Sequence, residues 1–170
     1  MQHSIFVLKR TLEYILSRVA AFLLSAMTIM VLIQVVSRYV FQSPTAFTEE
    51  LVRYLLIWTG FIGAAYAFFV RAHMALVFVR EKLPEASRRL LVIFIDAVVL
   101  LFAAGVMIYG GIRLSVSVWD QLSPLLGISR GLVYSMAPLS GILIVLAQII
   151  NLYEDFGGKL EDSVNKEVKA

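Results

Sequence analysis

The stretch VAAFLLSAMTIMVLIQVVS, Val19 to Ser37, runs for 19 residues without a charge and is bounded by Arg18 and Arg38. A helix needs roughly 20 mostly apolar residues to cross a hydrocarbon core about 30 Å thick. Three more stretches meet that requirement: Tyr54–Val70 between Arg53 and Arg71, Leu90–Ile112 between Arg89 and Arg113, and Gly131–Tyr153 between Arg130 and Glu154. The third is interrupted once, at Asp96. These runs are too long for barrel strands and lack period-two alternation. The expectation is an all-α membrane protein with four transmembrane helices at about 19–37, 54–70, 90–112 and 131–153, forming one domain over 1–153, with a polar tail over 154–170.

Composition agrees. Of the 170 residues, 60% are hydrophobic and 16% charged, and the mean hydropathy is +0.85. A soluble domain carries about 25% charge and about 45–50% apolar residues, and one compact unit of this length cannot hide the excess. There are no cysteines, so disulfides, thiolate metal sites and cysteine nucleophiles are excluded. The net charge of +3 is spread between apolar runs, and no basic patch tracks a phosphate backbone, so no nucleic-acid partner is expected. His3 and His73 are the only histidines, too few within spans for a transmembrane haem. No Walker, HExxH or Gly-x-Ser-x-Gly motif occurs. The chain reads as a non-enzyme without cofactor or metal.

Val19–Ser37 exceeds a signal-peptide core and leads into Arg38–Tyr39–Val40–Phe41 rather than small residues, so it reads as a retained span. Lys and Arg outside the spans sum to eleven in the N-terminal segment, middle loop and tail, against four in the other two loops. The positive-inside rule then places both termini in the cytoplasm. Over residues 3–18, Ile5, Leu8, Leu12, Ile15 and Leu16 recur at helical spacing, the pattern of an N-terminal amphipathic helix lying in the membrane interface. The alternative is that the first span simply continues outward. Met74–Val79 is apolar but too short to cross.

Asp96 is the one ionisable residue inside an apolar run. It is either an ion-relay carboxylate, or one paired with a base such as Arg71 or Arg89 or hydrated at the membrane interface. Thr28, Gln34, Thr59, Gln148 and Asn151 suit interhelical hydrogen bonds. Gly60/Ala64 and Gly63/Ala67 in the second span, and Gly131/Ser135 and Ala137/Gly141 in the fourth, allow close backbone approach. They serve either internal packing or another subunit. Pro138 should kink the fourth span. In the first loop, Ser43–Pro44 can start a helix, Glu49 and Glu50 fall near its positive end, and either can pair with Arg53. Trp58 lies at a depth suited to the aromatic belt.

Arg38–Tyr39–Val40–Phe41, Ser43–Pro44, Thr48–Glu49–Glu50–Leu51–Val52–Arg53–Tyr54–Leu55, Trp58, Gly63–Ala64–Ala65–Tyr66–Ala67 and His73 together resemble the small, DctQ-type membrane subunit of tripartite ATP-independent periplasmic (TRAP) transporters. The pattern departs at Phe47, where the family usually has Trp, and after His73, where an acidic residue is often found. The resemblance implies a scaffold subunit of a sodium-coupled secondary transporter for organic anions such as carboxylates or sialic acid. It implies pairing with a large elevator-type membrane subunit in the bacterial inner membrane, and help in docking a periplasmic binding protein. The residues expected to matter are Arg38, Glu49, Glu50, Arg53, Trp58, Gly60, Gly63, Ala64, Ala67 and His73, at interfaces with protein partners or membrane lipid. The rival readings are a self-sufficient homo-oligomeric transporter or channel built around Asp96, and a membrane anchor of an enzyme complex.

Overall fold

The computed structural model describes the backbone of residues 2–43, 46–70 and 85–156, and the side chains of 6–43, 46–70 and 94–152. His73, the 74–79 segment and the tail from 157 lie outside the described residues. Helix α1, Gln2–Tyr39, is followed by α2, Ala46–Phe69. The third span consists of α3, Glu85–Phe102, a π-helical segment, Ala103–Gly110, and α4, Gly111–Ser117. The fourth consists of α5, Arg130–Tyr134, and α6, Met136–Phe156. All four assemblies are long and apolar enough to cross a membrane.

The N-terminal segment corrects one expectation. Residues 3–18 are not a separate interfacial helix but the first turns of an unbroken 38-residue α1. No glycine or proline occurs in it to break the ladder. At 1.5 Å per residue it is about 57 Å long, nearly twice a hydrocarbon core. The apolar stripe that suggested a surface helix is partly used by protein. Leu16 is buried with Phe69, Ala147 and Ile150, and Leu12 packs against that cluster. Between α1 and α2 the chain turns tightly, with Gln42 at φ 50° and Ser37 Oγ donating to the Ser43 carbonyl at 2.6 Å.

The spans stand in the order first, second, fourth, third, each packed chiefly on its neighbour in that row. The fourth is the hub: 44% of its apolar window is buried inside the chain, against 6% for the first. Val133, Met136, Ile144, Ala147 and Ile150 face inward from it. One cluster joins Leu16 and Leu23 of α1 to Ile62 and Phe69 of α2 and to α6. A second joins Ala65 of α2 and Ala103 of the π segment across Ile144.

Pro138 interrupts the fourth span as expected, because it has no N–H to offer the Tyr134 carbonyl. The interruption falls at Ser135, between α5 and α6. The π segment opposite was not foreseen; a π-helix has weaker local geometry than an α-helix, and close contact with α6 backs this one. A Cβ on Gly141 would lie 2.9 Å from Met107 Cβ and Ile108 Cγ1, and one on Gly111 2.8 Å from Pro138 Cδ. At Gly131 it would lie 2.5 Å from the Ser115 carbonyl oxygen. The small residues of the fourth span therefore serve internal packing. Those of the second do not: Gly60 and Gly63 have nothing within 4 Å of an added Cβ.

This contrast predicts that Gly131→Ala or Gly141→Ala destabilises the detergent-solubilised chain by about 1–3 kcal/mol, the usual cost of overpacking. Gly63→Ala leaves its stability unchanged or slightly raised, because alanine is the better helix former. Thermal unfolding followed by size-exclusion chromatography reads both.

Candidate functional site

Helix α2 has two faces of opposite character. Thr48, Ile62, Ala65 and Phe69 are buried, and the residues between them at helical spacing pack on α1 and α6. Trp58 belongs to this side. Its indole N–H donates to the Val133 carbonyl at 3.2 Å, next to the α5–α6 interruption, so its polar edge is used within the protein rather than as a free belt anchor. Ser140 Oγ closes the same seam from α6, donating to the Phe61 carbonyl at 2.7 Å.

The opposite face carries Glu49, Arg53, Leu56, Gly60, Gly63, Ala67 and Val70 in a seven-residue repeat, with Ala64 beside it. Residues at such spacing line one side of a helix. Leu56 and Val70 are 57% and 44% exposed, and the two glycines between them leave a shallow notch in the helix surface. Of the residues singled out from the sequence, Glu49, Arg53 and Gly60 are exposed on this face, and Gly63 and Ala67 on it and Ala64 beside it are half-buried. Arg38 is also exposed, in the last turn of α1, where a cation suits the negative helix end. Among the described residues no ion pair joins Arg53 to Glu49 or Glu50, although their spacing permits one.

Glu50 is engaged elsewhere. Its Oε1 accepts from the Tyr54 hydroxyl at 2.8 Å and its Oε2 from the Leu125 amide at 3.3 Å. Leu125 lies in the 118–129 connection, 75 residues away in sequence, so no local pattern announces the contact. That connection is itself tightly folded. The Ser123 amide donates to the Ile128 carbonyl at 2.8 Å, the Leu126 amide to Ser123 Oγ at 3.1 Å, and the Arg130 amide to the Gln121 carbonyl at 2.9 Å. Ser129 Oγ donates to the Trp119 carbonyl, and Gly127 takes a φ of 65° that suits glycine. Glu50 clamps this unit to the start of α2, while Trp119, Leu122 and Leu125 remain exposed.

Asp96 is 7% exposed and accepts from Gln148 Nε2 at 3.2 Å. Arg71 lies outside the described residues, as does the side chain of Arg89, so the expected ion pair with either is not addressed by this geometry. Asp96 is on a different helix from the uncovered face of α2. Among the described residues no cluster of three or more His, Asp or Glu could hold a metal ion.

Thr28 and Thr59, expected to bond between helices, instead donate to the Leu24 and Leu55 carbonyls of their own helices. Ser140, Gln148 and Asn151 do join neighbouring spans. The four apolar spans define a multi-pass membrane protein. The family model described as "Tripartite ATP-independent periplasmic transporters, DctQ component" matches residues 27–158. The chain belongs to this family of TRAP transporter small subunits. It is 32% identical over 130 residues to a Haemophilus influenzae protein provisionally named a TRAP transporter small permease protein, covering 76% of this chain and 80% of that one. It is 26% identical over 131 residues to the sialic acid TRAP transporter small permease protein SiaQ of Vibrio cholerae, covering 77% and 75%. A third relative, the sialic acid TRAP transporter permease protein SiaT of Haemophilus influenzae, is 30% identical over 122 residues, 69% of this chain but only 20% of that longer protein.

The clamp predicts that Glu50→Ala frees the 118–129 connection without unfolding the spans. Limited thermolysin digestion of the purified chain, read by mass spectrometry, then shows faster cutting near Leu122 and Leu125, with Glu50→Gln intermediate because it keeps one acceptor oxygen.

Proposed function

We propose that this chain is the stationary, non-catalytic subunit of a sodium-coupled TRAP transporter for organic anions, and that the uncovered face of α2 seats a helix of the large membrane subunit. The observation that carries the reading is the Gly60–Gly63 notch, which no described residue fills although Gly131 and Gly141 of the fourth span are closely packed. Small residues let two helix backbones approach closely in a membrane, where packing rather than hydrophobic exclusion drives association. SiaT supports a partnership with a large permease, because a stretch similar to this chain occupies one fifth of that longer protein.

The remaining assignments follow the family. Transport belongs to the large subunit and the small one braces it: a transporter's substrate site is usually built at the midplane from several convergent polar groups, and Gln148, Asn151 and Ser140 of the fourth span are engaged in bonds to neighbouring helices. Charge bias orients both termini to the cytoplasm in the bacterial inner membrane. The Glu50-clamped connection then faces the periplasm, where it can help dock a binding protein. The sialic acid named for two relatives makes sialic acid or another carboxylate the substrate class to test first.

Co-expression with the large subunit tests the proposal. Gly60→Leu or Gly63→Leu is expected to lower the yield of copurified large subunit about tenfold or more, since lost close packing of 1.4 kcal/mol already corresponds to tenfold, while the isolated chain stays folded. Unchanged complex yield contradicts the assigned face. Asp96→Asn retains an oxygen for Gln148, so uptake by the assembled complex should stay near wild type. Loss of transport with normal assembly favours an ion-relay role instead, and solute accumulation by the isolated chain in liposomes overturns the scaffold reading.

A further inference from the structure

At the end of the row opposite the Glu50 clamp, polar groups from all four spans converge. Lys9 Nζ of α1 donates to Asn151 Oδ1 of α6 at 3.2 Å, and Asn151 Nδ2 donates to the Phe68 carbonyl of α2 at 3.1 Å. One turn earlier on α6, Gln148 Nε2 donates to Asp96 Oδ1 of α3 at 3.2 Å. Asn151 and Gln148 are buried, at 5% and 3% exposure. Lys9, Phe68, Asp96 and Asn151 each take part in further interactions as well.

Each bond answers a specific need. Helix α2 ends at Phe69, so the Phe68 carbonyl lies in its last turn, at the negative end of the helix. Asn151 caps it from the neighbouring span. The ammonium of Lys9 then stands near the negative end of α2, where a cation is favoured. Asn151 uses both ends of its amide, accepting from α1 and donating to α2, so its orientation is fixed by two helices at once.

The N-terminal part of α1 depends on such attachment. Phe6, Val7, Leu8, Tyr14 and Ile15 are all exposed, and the apolar contact with the core is made by Leu12 and Leu16. Among the described side chains nearer the N-terminus than Leu12, Lys9 reaches α6 through its bond to Asn151.

We propose that the Lys9–Asn151–Phe68 junction is a latch that holds the N-terminal extension of α1 as a fixed strut against the ends of α2 and α6, with Asn151 closing it. The latch is independent of the chain's partners, so it stands or falls separately from the scaffold reading.

The full chain contains no cysteine, which makes paired labelling clean. In the detergent-purified protein, Lys9→Cys with Asn151→Cys should be joined by a short bifunctional maleimide that spans the reach of the lost lysine side chain, seen as a linked peptide by mass spectrometry. Lys9→Met and Asn151→Leu should each accelerate trypsin cleavage at Arg10 and Arg18 about three- to twenty-fold, the range that a lost interhelical hydrogen bond in a membrane protein produces. Lys9→Arg should restore resistance at Arg18. If Asn151→Leu does not fold, Lys9→Met decides alone, since its side chain sits at the margin of the core. Absence of the cross-link, or cleavage of Lys9→Met at the wild-type rate, overturns the latch.

Discussion

In a hydrocarbon solvent, a polar group has no water to turn to, and every donor and acceptor must be answered by protein. That constraint organises this molecule around α6. Ser140 answers a carbonyl of α2 in mid-span, Asn151 answers another at the end of α2, and Gln148 answers the carboxylate of α3. The three lie on one side of α6, and their partners fix which helices may stand beside it. The apolar packing that fills the seams, Ile144 between Ala65 and Ala103 and Ala147 near Phe69, is less directional and would tolerate more than one arrangement.

A row of helices with one hub has a mechanical consequence. The first span leans chiefly on the second and the third on the fourth, so the middle of the row is internally committed while much of the rest is exposed. Most of that exposure is ordinary for a surface facing lipid tails. The α2 face differs because it is notched, and because Glu49 and Arg53 stand at one end of it. The two ends of the row are secured differently, by a folded connection clamped through a carboxylate at one and by side chains capping a helix terminus at the other.

Much of the architecture was legible because a membrane span is a local property. An uncharged run of about 20 residues can be recognised without knowing its neighbours, and each of the four expected runs falls within a described helical assembly. The extension of α1 was misread because an amphipathic stripe looks the same whether it faces lipid or protein; Leu12 and Leu16 face the ends of α2 and α6 instead of a membrane surface. The family pattern between Arg38 and Ala67 pointed to residues that turned out to lie largely on one helix face, since heptad spacing is itself a local signal. The clamp at Glu50 was not legible for the opposite reason: Leu125 is 75 residues away, and only Tyr54, four residues on, is a local partner.

What the sequence determined by itself was the class, the number of spans and the family, because charge-free length and ordered motifs survive without any knowledge of packing. Which glycines are filled and which are open, which helix is the hub, and where Glu50, Asn151 and Lys9 find their partners were decided only in three dimensions. Leucine and isoleucine make nearly every helix face equally apolar, so the choice of neighbour rests on a few polar groups whose distances depend on the whole assembly.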